Sequence, residues 1–204
     1  VFLDLPPPHR ARYAYAVETL LYGLGVEVDW EAADPVLAIG LDPPDAPVRW
    51  TVSAAALDVF ETRRSVAADE VFWMEMDGAE VPVLFGTPDA PDVAGSAFYW
   101  LSGWQEHTTR RVDAHGRFPF DASLQHALGT ATLPAVDAYA DRLGAHLREA
   151  GINVPGRTWG GCGWALCPTH DLDALRKWTP ATVLKNPAAL ARLWRADPYR
   201  RGLE

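Results

Sequence analysis

The sequence lacks the features that mark several broad classes of protein. It has only two cysteines, and it contains no internal repeat and no low-complexity tract. No apolar run approaches the roughly 20 residues that a transmembrane helix needs, so we expect no membrane span. No signal peptide is visible, and we therefore expect a cytoplasmic location. Because the first residue is Val1, both a removed signal and an arbitrary boundary stay open.

The sequence also lacks an excess of positive charge. Its net charge is −9, and phosphate binding requires a clustered basic surface, so we expect no nucleic-acid partner. The cysteines, Cys162 and Cys167, would lie roughly 16 Å apart on a strand, beyond the ~7 Å that a disulfide can bridge. We expect two buried free thiols, which fit a reducing compartment. A zinc site of paired cysteines would need a second pair, which is missing.

What is present indicates a folded α+β domain. Of the 204 residues, 49% are apolar, which suits a globular protein with one domain and a fragment of another. Periodicity predicts a helix over about residues 9–24, ending at Gly25. Three β-prone runs follow at 26–30, 35–42 and 48–53. Two further β-rich arms flank Asp77-Gly78, a pair typical of a two-residue hairpin turn.

The second half of the chain is predicted to be mainly helical. One helical stretch covers about residues 93–111, and a short helix follows with Asp121 or Ser123 as its N-cap. A longer helix has Pro134 in its first turn and Gly151 after its end. Residues 151–161, rich in Gly and Pro, indicate a linker. We therefore predict an accessory α+β domain over residues 1–158 and the start of a truncated second domain over 159–204.

The motif with the clearest chemistry follows an apolar run, 164–167, which we predict to be a buried strand. Residues at the carboxyl end of such a strand commonly project into a cleft. If the segment stays extended, Asp171 and Asp173 point to one side and His170 to the other. One carboxylate could then hold a divalent metal while the other takes a proton from water. Alternatively, the aspartates only cap the helix that follows.

A D-x-D after an apolar strand also occurs in other enzymes. It resembles the phosphoryl-acceptor motif of haloacid-dehalogenase-type phosphatases, but Leu175 replaces the usual Thr or Val. It also resembles the metal-nucleotide motif of many glycosyltransferases, which is too short to decide the matter.

A longer resemblance favours a third family. The run "CPTHDLDALRKW", residues 167–178, resembles the first motif of bacterial polysaccharide deacetylases, the metal-dependent carbohydrate esterases. Upstream, "FYWLSGWQEH" and "RRVDAHGRFPFDASLQHALG", residues 98–107 and 110–129, are similar to the accessory domain that precedes the catalytic domain in a subset of them. The resemblance implies a distorted (β/α) barrel in the second domain, and hydrolysis of an N- or O-acetyl group on a glycan in bacterial surface polysaccharide metabolism.

The resemblance also implies roles for single residues. Asp171 matches the general base. The usual metal-binding Asp falls on Leu172, so Asp173 is the substitute ligand, and His170 is a second candidate ligand or a structural residue. The metal implied is divalent, with zinc expected. The family completes its site with a later His-x-x-x-His pair, and no histidine follows Asp173. Zinc takes three protein ligands, so we expect this chain alone to be inactive.

Two further groups could bind sugar or a partner domain. Trp100 and Trp104 would share one face of a continuous helix, either as a sugar-stacking platform or as core residues. Asp113, His115 and Arg117 cluster around a turn, where they could rim a cleft or dock two domains. The alternative to a glycan deacetylase is thus a non-catalytic docking or carbohydrate-binding module.

Overall fold

The computed structural model describes residues 1–76 and 78–169. Residues Val1–Trp164 form one compact unit, and Ala165–Glu204 form a second. The first unit is a mixed α/β domain with two small sheets. The predicted barrel elements after residue 169 lie outside the described residues, so the barrel stays a prediction, as does the domain boundary at residue 158. No helix among the described residues is long and apolar enough to cross a membrane.

The first sheet has three parallel strands in the order β1 (Phe2–Asp4), β2 (Leu37–Gly40) and β3 (Val48–Thr51). Phe2 pairs with Ala38, and Ile39 pairs with Trp50. Every residue of β2 is buried, as expected for a central parallel strand covered on both faces. The strand predicted at 26–30 is absent: that segment has no regular structure.

The second sheet is the predicted hairpin, and this prediction is confirmed. β4 (Phe72–Met76) pairs antiparallel with β5 (Ala79–Val83). Gly78 has a φ of 78°, the left-handed conformation that the type I′ turn requires. Asp77 lies outside the described residues.

Six α-helices accompany these sheets in the part of the chain that the structure describes. They are α1 (Pro7–Gly23), α2 (Ala54–Thr62), α3 (Val93–Leu101), α4 (Trp104–Thr108), α5 (Leu124–Leu128) and α6 (Ala135–Glu149). Short 3₁₀ turns occur at Ala68–Glu70 and Phe120–Ala122. α1 packs against both α3 and α6. The predicted N-cap of α5 is confirmed, because the Ser123 hydroxyl accepts a hydrogen bond from the backbone N–H of His126.

The core includes three fully buried tyrosines, and each hydroxyl has a protein partner. Tyr13 donates to Asp92 Oδ2 at 2.5 Å. Tyr99 accepts from the backbone N–H of Val66 at 3.0 Å, and Tyr139 donates to the carbonyl of Pro82. Because a buried hydroxyl without a partner is costly, these bonds restrict how the helices can pack on the chain segments between them.

The segment predicted as a linker packs on the domain. Ile152 and Val154 contact the core, and the Arg157 guanidinium lies 3.5 Å from the ring centre of Tyr22 on α1. A Cβ added at Gly25 would lie only 2.6 Å from the carbonyl oxygen of Gly156. The close approach of these two backbones therefore requires glycine at residue 25, just past the end of α1.

Candidate functional site

The predicted catalytic and metal-binding residues, His170, Asp171 and Asp173, lie outside the described residues. Their geometry, and the metal site that they would form, stay predictions. Among the residues that the structure describes, no group of three His, Cys, Asp or Glu side chains could hold a metal ion. In donor chemistry His170 and Asp173 suit zinc, which binds imidazole nitrogen and carboxylate oxygen, but a complete site needs a third protein ligand.

Two expectations about the approach to that motif are wrong. Residues 163–169 have no regular secondary structure, so the run predicted as a buried strand is not one. Trp164 and Leu166 are 74% and 79% exposed. Cys162 and Cys167 are free, as expected, but both are exposed instead of buried. A continuous apolar run predicts burial only where a partner surface exists, and no strand in the described part pairs with this segment.

The pair Trp100 and Trp104 does not form a shared helix face. α3 ends at Leu101, and α4 begins at Trp104, after Gly103 with a φ of 61°. Trp104 is buried against Phe60, with ring centres 5.1 Å apart, so the core interpretation holds for it. Trp100 is only half-buried, and its indole N–H lies 3.3 Å from the Tyr139 hydroxyl, to which it donates. The platform of two tryptophans is therefore wrong.

Asp113, His115 and Arg117 form the hydrogen-bonded turn that the sequence suggested. Asp113 Oδ1 accepts from the backbone N–H groups of His115 and Arg117, at 2.8 and 2.9 Å. These bonds lower the pKa of Asp113, the one from Arg117 most. Since the carboxylate is occupied by its own loop, the cluster is explained by local structure, and its role in docking a second domain stays a prediction.

Among the described residues, Asp92 is a buried ionisable group with three hydrogen-bond partners. It accepts hydrogen bonds from the Tyr13 hydroxyl, the backbone N–H of Ser53 at 2.7 Å and that of Gly95 at 2.8 Å. Burial raises the pKa of Asp92 to about 6, although these hydrogen bonds act to lower it. We call Tyr13, Ser53, Asp92 and Gly95 the Asp92 cluster. It joins α1, the start of α2 and the N-cap of α3, which indicates a structural role.

A cavity of about 410 Å³ lies between β4 and α6. Its walls carry both signs of charge, with Glu75, Asp141 and Glu149 beside Arg142 and Arg148. Its histidine, His146, accepts from the indole N–H of Trp50 at 3.3 Å, and burial lowers the pKa of that imidazole. This mixture of charges does not select one class of ligand.

A second cavity, of about 380 Å³, lies between the α3–α4 break and α5. We call it the Trp100 cavity. The side chains that line it include three aromatic rings, two amides and one carboxylate, from Trp100, Phe118, Phe120, Gln105, Gln125 and Glu106, and the smaller side chains of Ser123 and Ala131 complete the lining. An adjoining cavity of about 190 Å³ is also lined by Trp100 and Gln125. These two side chains therefore form a wall common to both cavities.

The polar side of the Trp100 cavity is an amide pair. Gln105 donates from Nε2 to Gln125 Oε1 at 2.9 Å, and its own Oε1 accepts the backbone N–H of Leu124 at 2.5 Å. The Gln125 amino group has no hydrogen-bond partner in the described part of the chain. It remains a donor for a ligand.

The model of a family of unknown function, DUF7033, matches residues 50–151, half of the chain. The chain belongs to this family. The DUF7033 range contains every residue of the Trp100 cavity and excludes His170, Asp171 and Asp173. No curated protein matches the chain. No solved structure matches it either.

Sequence reasoning missed the amide pair and the Asp92 cluster. A signal for the amide pair was available: Gln105 and Gln125 are the only two glutamines in the sequence, and they meet in one cavity. Asp92 carried a weaker signal, as an aspartate directly before a helical stretch. That position predicts an N-cap, but not the contact with Tyr13, 79 residues away.

Proposed function

We propose that the chain is the N-terminal part of a metal-dependent, polysaccharide-deacetylase-like hydrolase that removes acetyl groups from a glycan. The observation that carries the proposal is the run Thr169–Asp173, which places an imidazole and two carboxylates within five residues. A cytoplasmic location and a role in bacterial surface polysaccharide metabolism belong to the same proposal. The DUF7033 domain acts as the accessory domain of this enzyme.

Each polar residue of the run has a role in the proposal. Asp171 is the general base that takes a proton from the attacking water, and Asp173 and His170 hold the metal. When bound, a divalent ion such as zinc supplies Lewis-acid polarisation of the acetyl carbonyl. Asp171 must be ionised and within hydrogen-bond reach of the water to act. A further ligand is required, because two protein donors are one fewer than zinc takes.

The test uses the protein encoded by the complete reading frame. Its zinc content is measured, and release of acetate is followed from an N-acetylated chito-oligosaccharide and from O-acetylated xylan. We expect Asp171→Asn to lower turnover by about 10²- to 10⁴-fold, the usual contribution of a general base, while zinc stays bound. We expect Asp173→Asn to lower the zinc content itself. The matched control is Asp45→Asn, a substitution at an exposed loop residue.

The same experiment separates the second candidate function. A non-catalytic docking or carbohydrate-binding module would bind no zinc at this run and would be insensitive to Asp171→Asn. That pair of results would replace the hydrolase by the module, with the aspartates serving only to cap a helix.

A further inference from the structure

We propose that the Trp100 cavity is a binding site for a neutral oligosaccharide. The proposal concerns the DUF7033 domain and does not depend on hydrolysis at Asp171.

The shape suits a ligand longer than one sugar ring. The Trp100 cavity, at about 380 Å³, falls within the roughly 300–1,000 Å³ typical of small-molecule sites. The adjoining cavity, which is also lined by Trp100 and Gln125, adds about 190 Å³. A ligand that bridged both cavities would therefore pass over these two side chains.

The aromatic rings provide surfaces for the C–H faces of sugar rings. An aromatic ring has a negative face, which attracts polarised C–H groups, and a large apolar area. Trp100 is held in place, because its indole N–H donates to Tyr139 and its ring meets that of Tyr99 edge to face, with centres 5.6 Å apart. Phe120, in contrast, is 58% exposed at the rim. An exposed phenylalanine beside a fixed tryptophan is a surface that a ligand would cover.

The polar groups match hydroxyl groups, which both donate and accept hydrogen bonds. The Gln125 amino group is an available donor, as described above, and the Glu106 carboxylate is an acceptor. Glu106 forms no ion pair among the described residues. Both halves of a sugar hydroxyl's hydrogen-bonding capacity can thus be satisfied within one cavity.

The charge favours a neutral ligand. Of the described residues that line the Trp100 cavity, none is Lys, Arg or His, and Glu106 carries a negative charge. Phosphate, sulfate and carboxylate groups are normally bound by cationic side chains, so an acidic glycan would meet repulsion here.

A proline-rich peptide, which also binds to aromatic surfaces, fits these groups less well. Such a peptide offers mainly carbonyl acceptors, because proline has no N–H. The indole N–H of Trp100, a natural donor to those carbonyls, is already bonded to Tyr139. Glu106 would find few donors on such a ligand. The oligosaccharide is therefore the better occupant.

The test measures binding by the full chain. An array of neutral, N-acetylated and acidic oligosaccharides is probed first, with proline-rich peptides on the same surface. The affinity for a bound tetrasaccharide is then measured by calorimetry. We expect neutral oligosaccharides to bind, and Trp100→Ala and Gln125→Ala each to weaken binding about tenfold or more, the equivalent of 1.4 kcal/mol. Trp159→Ala removes a tryptophan outside the cavity and should leave the affinity unchanged.

Trp100→Phe guards against a folding defect in Trp100→Ala, because it keeps one aromatic ring and loses the N–H and the second ring of the indole. We expect it to bind more tightly than Trp100→Ala. The proposal is overturned if the wild type binds no neutral oligosaccharide, if folded Trp100 and Gln125 variants bind as tightly as the wild type, or if proline-rich peptides bind in place of sugars. Asp171→Asn should bind sugar normally, so failure of the hydrolase proposal would leave this result unaffected.

Discussion

The Asp92 cluster and the Trp100 cavity both place polar side chains inside the first unit, Val1–Trp164, but they differ in whether those side chains have hydrogen-bonding groups left without a partner. The carboxylate of Asp92 receives three protein donors and is fully buried. The Gln105–Gln125 pair uses one donor and both oxygens, and leaves the Gln125 amino group open at a cavity. A polar group whose partners all lie within the protein stabilises the fold, whereas one with an open donor at a cavity can serve a ligand.

The largest expected loss of stability comes from removing a tryptophan of the core. Trp104 is buried against Phe60 and Phe98, so Trp104→Ala should lower the free energy of unfolding by about 3–5 kcal/mol. Trp100→Ala should cost less, about 1–2 kcal/mol, because that side chain is half-buried. Chemical denaturation of both variants measures the difference. Equal losses would contradict the division between a core tryptophan and a cavity tryptophan.

The next largest loss of stability is expected when the Asp92 carboxylate is removed. Asp92→Ala leaves the Tyr13 hydroxyl and two backbone N–H groups without their acceptor, at about 1–3 kcal/mol for each buried group that finds no other partner. We expect the free energy of unfolding, measured by urea denaturation, to fall by about 3–4 kcal/mol. Gln125→Ala should lower the free energy of unfolding less, by about 0.5–1.5 kcal/mol, because this half-buried residue gives up one hydrogen bond, the one from Gln105. Asp89→Ala, at an exposed loop residue, is the control.

Asp92 also predicts how stability depends on pH. Its pKa is about 6 in the folded state, against an ordinary value of 3.8, so the folded protein holds this proton more tightly than the unfolded chain. The stabilisation is therefore complete below about pH 3.8 and is lost as the pH rises through 6. The loss is about 3 kcal/mol, at 1.36 kcal/mol for each pKa unit.

Asp92→Asn isolates this contribution, because the other titrating groups are common to both proteins. The stability of the wild type relative to Asp92→Asn should fall between pH 4 and pH 7. A difference that stays constant or grows over this range would mean that Asp92 is not buried as described.

The smallest effect concerns the break between α3 and α4. Gly103 has a φ of 61°, and an alanine there would be strained by about 1–2 kcal/mol. The added Cβ would lie 3.7 Å from the Glu106 carboxyl, an ordinary contact, so backbone strain is the whole expected cost. Gly163→Ala is the matched control, since Gly163 has no positive φ and open space around it. A cost equal to that of the control would show that the break is not fixed by Gly103.

Local signals in the sequence explain which elements could be predicted. α1, α6 and the hairpin were predicted because helical spacing, Pro134 and the Asp77-Gly78 pair act within a few residues. α2 was missed although its cap was visible: the Ser53 hydroxyl accepts from the backbone N–H of Ala55. β1 has only three residues, and its parallel pairing with β2 depends on a partner more than 30 residues away. No local pattern records such a partner.

The candidate site was harder to predict for the same reason. The Trp100 cavity is assembled from the α3–α4 break, the segment around Phe118 and Phe120, and α5, and nothing in one segment indicates the others. The motif at His170, Asp171 and Asp173 is local in sequence, so it could be proposed from the sequence alone. Its three residues lie outside the described part, so its geometry stays a prediction.

The break at Gly103 has a consequence for reading related sequences. Two aromatic residues four positions apart look like one helical stripe, and they would be expected to change together. With a left-handed glycine between them, Trp100 and Trp104 have different surroundings. Trp100 lines a cavity, so its size is constrained by the ligand, whereas Trp104 is constrained by the space available in the core. Relatives with different ligands should therefore vary at residue 100 while residue 104 stays large and apolar.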